Sequence, residues 1–535
     1  MCILKETAHK KCTALRPAVF KAMVNRDLYQ ECKIKTAEIT WLLPYLKFAL
    51  QTFLSTAVPA RSLRCEFITL RNSVKSQIGN CQEPLIPAFL IDFFMEVNMK
   101  KIMVSCFAFA CAAGAFAQGY PDADATNPEK MQWQQGFPPP KEKTLHAADG
   151  SYFNFPGLRY SVNHMQEFSV TRTVPAAKEK LYSVKTKYDE NIDSITFTPW
   201  DSDKEMTFAQ SLDANYTDGI IIMHKGKIIY EKYPAGLRPD GVHAAMSVSK
   251  SFTGTIASIL VAEGVLDPSK TVAEYIPELK DSGFADATVR QVMDMTTAIQ
   301  YSEDYNDPNA EVWKYSAAGN VFRPADYKGP QNYYEYLATV KKIDGQEHGE
   351  EFGYRTVNTE LLAWINSRVT GKGLTELISE KIWKPLGAHY DGYYQVDPSG
   401  IAFAGGGFSL NLRDMAMFGE MMRNGGKLNG KQIIPEKAAK DIASGGSSTE
   451  YKAAFAKGGE YPKLDGWSYH NMWWITNNPH GAYMARGVHG QAIYIDPAAE
   501  MVIARFASTY LASNKYIDPL SIPAYEAVAD YLMKK

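Results

Sequence analysis

Runs of alternating and continuous apolar residues mark strands near both ends of this chain. The stretch "DGIIIMHKGKIIYEKY" (218–233) holds two β-rich runs around Lys225-Gly226, so a hairpin is expected there. "GQAIYIDPAAEMVIARFAS" (490–508) repeats the pattern, with strands on either side of Asp496-Pro497. Between them lie helical patterns punctuated by glycine, "NTELLAWINSRVTG" (358–371) and "RDMAMFGEMMRNGG" (413–426). A last amphipathic stretch, 522–534, also reads as helix. Strands at both chain ends with helices between them predict an α+β fold: one antiparallel sheet assembled from both termini, with a mostly helical subdomain inserted. This domain is taken as 205–535. "AGGGFSLN" (404–411) reads as a tight turn, because no phosphate-loop lysine follows it. Residues 118–204 ("WQQGFPPPKEK", "DGSYFNFPGLRY") show little periodicity and read as an N-terminal extension that wraps the domain.

Composition changes the picture mainly at the N-terminal end. Of 535 residues, 45% are hydrophobic and 22% charged, ordinary values for a soluble globular protein. Residues 1–98 carry 13 Lys/Arg against 8 Asp/Glu, whereas 118–535 carries 42 against 51. A mildly acidic body without a basic stripe argues against nucleic acid as a partner. All 7 cysteines precede residue 118, so the body has neither disulfides nor a cysteine metal cluster. Its nine histidines show no H-x-H or H-E-x-x-H spacing, and no metal or other cofactor is expected.

The junction between the two compositions has a pattern of its own. "MKKIMVSCFAFACAAGAFAQG" opens at Met99 with two lysines, continues through a short apolar core and closes on Ala115-Phe116-Ala117. Those are the parts of a secretory signal peptide (99–117), cleaved after Ala117. The core is shorter than the ~20 residues of a membrane span, so no stable span is expected in the mature protein. Met99 is accordingly read as the start, with 1–98 an upstream over-extension, and the mature protein as periplasmic or secreted. The apolar run at 39–58 is interrupted by Pro44 and Lys47.

Candidate chemistry centres on "HAAMSVSKSFTG" (243–254). Ser247 and Lys250 stand three residues apart at the mouth of an apolar helix, a spacing that brings their Cβ atoms within about 5–6 Å. A lysine at the buried start of that helix would be desolvated, which favours the neutral amine and makes it a better base. The helix N-terminus also aims backbone N–H groups at the place where an oxyanion would form. The competing reading is that Ser247 simply caps the helix.

Three further stretches bear on that choice. "EEFGYRTVNTELLAW" offers Tyr354 and Asn358 ahead of an apolar helix, "RGVHGQAIYIDP" offers Val488-His489-Gly490-Gln491 at the C-terminal hairpin, and "DMTTAIQYSEDYNDPNAEVW" (294–313) lies between. In order and spacing these motifs resemble the serine β-lactamases and penicillin-binding proteins, in the class C branch, and within them the 6-aminohexanoate-dimer hydrolases. The resemblance covers roughly 205–535. It implies a serine hydrolase acting on a small-molecule amide or ester, with Ser247 as acyl-forming nucleophile and Lys250 and Tyr354 sharing its proton. It implies an oxyanion hole of the Ser247 and Val488 N–H groups, and substrate contacts from Tyr305, Asn358, Trp474 and His489. Trp474 reads equally as a buried core residue, and His489 equally as a structural hydrogen-bonder. A D,D-peptidase or weak β-lactamase is the alternative activity, although the third motif lacks Lys-Thr-Gly. A non-catalytic peptidoglycan- or partner-binding protein of the same fold is the alternative class. The sequence assigns no oligomeric state.

Overall fold

Eight strands make the main sheet: β1 (Lys185–Thr186), β2 (Thr217–His224), β3 (Lys227–Lys232), β4 (Ser468–His470), β5 (Trp473–Ile475), β6 (Tyr483–Gly487), β7 (Gln491–Asp496) and β8 (Met501–Ala507). Their spatial order is β4-β5-β6-β7-β8-β2-β3-β1, so strands from both chain ends meet where β8 pairs with β2. Every pairing is antiparallel except β1 on β3. The α+β architecture expected from the pattern is the one observed. In this computed structural model the described residues are 121–304, 307–321, 323–446, 461 and 463–535, all within the unit 113–535. The segment 1–98, the signal-peptide stretch 99–117 and Tyr305 lie outside them.

Local chemistry explains the elements. The β2–β3 turn sets Lys225 at φ 49° and Gly226 at φ 75°, the left-handed pair that a two-residue hairpin turn requires. The helices that frame the site are α1 (Val248–Ala262), α2 (Glu311–Ala318), α3 (Val357–Thr370), α4 (Leu412–Arg423) and α5 (Asp518–Met533). Gly371 ends α3 in the left-handed conformation at φ 70°. Successive strand residues face opposite sides of the sheet. On one side α4 packs so closely that a Cβ on Gly419 would lie 2.7 Å from Val502 and 2.8 Å from Ile493. On the other, α5 sets Tyr525 against Tyr494, centroids 5.4 Å apart. β8 is therefore buried along its whole length. α1 is buried along nearly its whole length, small polar residues included, and runs through the core.

The segment from 121 to 204 is knitted into the fold. It supplies β1, and Thr171–Val174 pairs with Gly392–Gln395 in a second, four-stranded sheet that ends at His243–Ala244. Leu145, Tyr152, Leu158, Val162 and Met165 make a small core of their own with Ala244, Met246 and Tyr393. Arg159, buried with Asp218 of β2, fastens it by an ion pair of 3.6 Å.

A charged cluster ties β4 to the helical region. His470 Nδ1 lies 3.0 Å from Asp294 and its Nε2 lies 3.6 Å from Asp441. Burial opposes the imidazolium, but the two carboxylates win and lift His470 to about 9. The unfolded value is near 6.5, so this stabilisation is complete below about pH 6.5 and is lost as pH rises through about 9. Unfolding free energy is expected to fall by on the order of 3 kcal/mol across that window. His470→Gln should flatten the decline in denaturant titrations at pH 6.5 and 9.5; parallel losses in both proteins would show that His470 charge contributes nothing.

Candidate active site

Ser247 sits at the N-cap position of α1, and its side chain makes no capping hydrogen bond. The hydroxyl instead accepts from Lys250 Nζ at 2.8 Å. Met246, just ahead, holds a left-handed φ of 48°, a strained conformation for a non-glycine residue, at the turn that delivers Ser247 to the helix mouth. Hydrogen bonds on both sides hold that turn: Ala245 N–H donates to Phe408 O at 2.8 Å, and Ser249 Oγ donates to Met246 O at 2.6 Å.

Lys250 is 1% exposed and donates a second hydrogen bond, to Gly405 O at 2.7 Å. Burial pulls its pKa down to about 8, against the opposing pull of Glu303 and Glu360. About a tenth of Lys250 is therefore neutral amine at pH 7, and about half at pH 8. The Tyr354 hydroxyl hydrogen-bonds Ser247, and its ring lies under Lys250 Nζ, 5.0 Å from centroid to nitrogen. Burial holds this phenol well above the ordinary tyrosine range, so Tyr354 keeps its proton while Lys250 can lose one.

The third motif approaches from β6. A Cβ on Gly487 would lie 2.7 Å from Ala245 O, so only a glycine lets the strand end come this close to the turn before Ser247. Val488 follows, and among the described residues neither its N–H nor that of Ser247 meets an acceptor. Gln491 pins the Val488 carbonyl through Nε2 at 3.1 Å. His489 takes φ 62° and is 5% exposed; its ring Nδ1 is 2.8 Å from Thr509 O. Burial lowers its pKa to about 4, so it is neutral at pH 7. A serine beside a buried amine, a phenol and two free N–H groups can form, stabilise and hydrolyse an acyl ester.

The β-lactamase family model matches residues 208–516. The chain belongs to the β-lactamase family. As a member it is a hydrolase, similar to 6-aminohexanoate-dimer hydrolases. It is 37% identical over 306 residues to the 6-aminohexanoate-dimer hydrolase of Paenarthrobacter ureafaciens, an alignment covering 56% of this chain and 74% of that one. A solved Bacillus anthracis structure, provisionally named a 6-aminohexanoate-dimer hydrolase, superposes with TM-score 0.66 at 34% identity, covering 74% of this chain and 99% of the other. A Providencia stuartii β-lactamase is 23% identical over 191 residues, 35% of this chain and 44% of that protein.

Within this β-lactamase-family site the remaining sequence expectations divide. Trp474 is 5% exposed and lies beside Tyr354, ring centroids 5.4 Å apart, in an aromatic cluster with Tyr461 and Tyr469; Arg486 covers it at 4.5 Å. It is packed core adjoining the site. Asn358, expected to contact substrate, is corrected: it is fully buried, accepting from Thr297 Oγ1 at 2.8 Å and donating to Met295 Sδ at 3.4 Å. Both polar ends are spent inside the fold, because Asn358, the second residue of α3, faces the core.

Glu303, Thr356, Glu360 and Gly405 were missed by sequence reasoning. Glu303 accepts from the backbone and hydroxyl of Thr356, the N-cap of α3. The one legible signal was Gly405-Gly406-Gly407. None of the three has a positive φ, so they are there for space: a Cβ on Gly405 would lie 3.2 Å from Glu360 Oε1 and closer still to Thr356.

Proposed function

We propose that this protein is a secreted serine hydrolase that cleaves a small linear amide or ester through an acyl-enzyme on Ser247. The observation that carries the reading is the 2.8 Å hydrogen bond from a desolvated Lys250 to an uncapping Ser247 hydroxyl. Ser247 Oγ attacks the carbonyl carbon while its proton passes to the Lys250–Tyr354 pair. The N–H groups of Ser247 and Val488 receive the oxyanion. The proton then goes to the departing nitrogen or oxygen as the C–N or C–O bond breaks, leaving the acyl group esterified to Ser247. Water, deprotonated by the same pair, adds to that ester. Collapse releases the carboxylic acid and returns the proton to Ser247 Oγ.

The similarity to 6-aminohexanoate-dimer hydrolases supports a linear amide with a short aliphatic acyl part. A neutral His489 in place of a lysine supports the same preference over a β-lactam, whose carboxylate calls for a cation. Tyr305, from the resemblance, would donate to the amide nitrogen and help a poor leaving group. The signal-peptide pattern of 99–117 supports a periplasmic or secreted location.

A fluorophosphonate, which phosphonylates an activated serine with loss of fluoride, is expected to label Ser247 and no other residue of the folded protein. Peptide mapping of the adduct checks this. A folded protein that stays unlabelled overturns the proposal.

A further inference from the structure

We propose that Glu360 is a positioning residue for the base: its carboxylate clamps the Ala404–Gly405 backbone so that the Gly405 carbonyl holds the Lys250 side chain against Ser247. The inference rests on the serine-hydrolase reading above. The relay is continuous. Glu360 Oε1 accepts from Gly405 N–H at 2.8 Å and Oε2 accepts from Ala404 N–H at 3.1 Å. Gly405 O accepts from Lys250 Nζ at 2.7 Å, and Lys250 donates to Ser247 at 2.8 Å. Tyr315 of α2 closes the other end, donating to Glu360 Oε1 at 2.7 Å.

Burying a carboxylate is costly unless it is well hydrogen-bonded and serves a charge. Glu360 is fully buried, on a helix where an apolar residue would pack without that cost. Burial pushes it up to about 7, against its three donors and Lys250. The groups around it are few in kind. Tyr315, Tyr333, Tyr334 and Tyr394 surround it with phenols whose own pKa values it raises. Lys250 is the cation it acts on, Glu303 is the other carboxylate acting on Lys250, and Asp397 lies beyond the tyrosines. Glu360 therefore has two effects on the base. It fixes where the amine sits, and it favours the protonated form.

Removing the charge should act on both. In Glu360→Gln, the rise of kcat/KM with pH for p-nitrophenyl butyrate is expected about half a unit or more lower, because Lys250 loses one of two carboxylates that favour its ammonium. Plateau kcat should fall by about tenfold and KM stay within about twofold. The pH dependence of fluorophosphonate labelling should move in parallel. Glu360→Asp restores the charge, so its rise should return toward the wild-type pH. If Glu360→Gln does not fold, Tyr315→Phe, which deletes one donor to the carboxylate, should shift the rise in the same direction by less. A rise that stays in place in these variants overturns the proposal, including where activity falls only in step with melting temperature. Wild-type protein that is not labelled at Ser247 overturns the underlying hydrolase reading instead, and this proposal with it.

Discussion

Ser247→Ala is expected to lower turnover by at least about three powers of ten while leaving the fold intact. Loss of the nucleophile removes the covalent step, and the members of such a unit fail together, so little of the rate survives any one deletion. A thousandfold loss corresponds to about 4 kcal/mol of barrier. The fold should tolerate the change because this hydroxyl caps no helix and its hydrogen bonds are to Lys250 and Tyr354 within the site. Lys250 keeps its bond to Gly405. Hydrolysis of short-chain p-nitrophenyl esters and of linear aminohexanoate amides, measured beside a melting curve, checks it. A variant that melts like wild type and retains a tenth of the activity would place the nucleophile elsewhere.

Lys250→Arg should lose about as much, near a thousandfold, although it keeps a positive charge and its donors. The argument turns on proton release. A buried lysine brought down to about 8 has an accessible amine. A guanidinium, with a pKa above about 12, does not surrender its proton in a protein. Tyr354 cannot take over alone, since burial keeps its phenol protonated. Wild-type kcat/KM is therefore expected to rise through about pH 8, and the Arg variant to stay low and flat. Lys250 is 1% exposed, so the larger guanidinium also strains its pocket. Lys250→Met, close in volume and uncharged, separates the two effects and should lose as much as Arg. Activity above a tenth of wild type in either variant would mean that the proton goes to another group.

How far the site was legible follows from the range over which each feature is set. Ser247 and Lys250 could be paired on sequence alone because a three-residue step on a helix is a local distance. The β2–β3 hairpin was legible for the same reason: Lys225-Gly226 carries its own turn geometry. Asn358 was misread because its identity marks a motif position while its rotation about α3 decides whether it meets substrate or core. The extension was under-read because two-residue strands such as Lys185–Thr186 leave almost no alternation to detect. Its small core is completed by residues distant in the chain, Ala244, Met246 and Tyr393.

The sequence by itself determined the α+β class, the order of the motifs, the position of the candidate nucleophile and its lysine, and the family. The class and the Ser247–Lys250 pair rest on periodicity and local spacing, where backbone geometry leaves few choices, and the family rests on the resemblance of the ordered motifs to known ones. Only the tertiary structure decided which groups share a dielectric environment and a hydrogen bond. Glu360 meets Gly405 across 45 residues, and Lys250 meets Gly405 across 155. Gly487 meets Ala245 through the space that a missing side chain leaves. Burial and charge proximity act through three-dimensional distance, and they set the protonation of Lys250, Glu360 and His489 on which the chemistry depends.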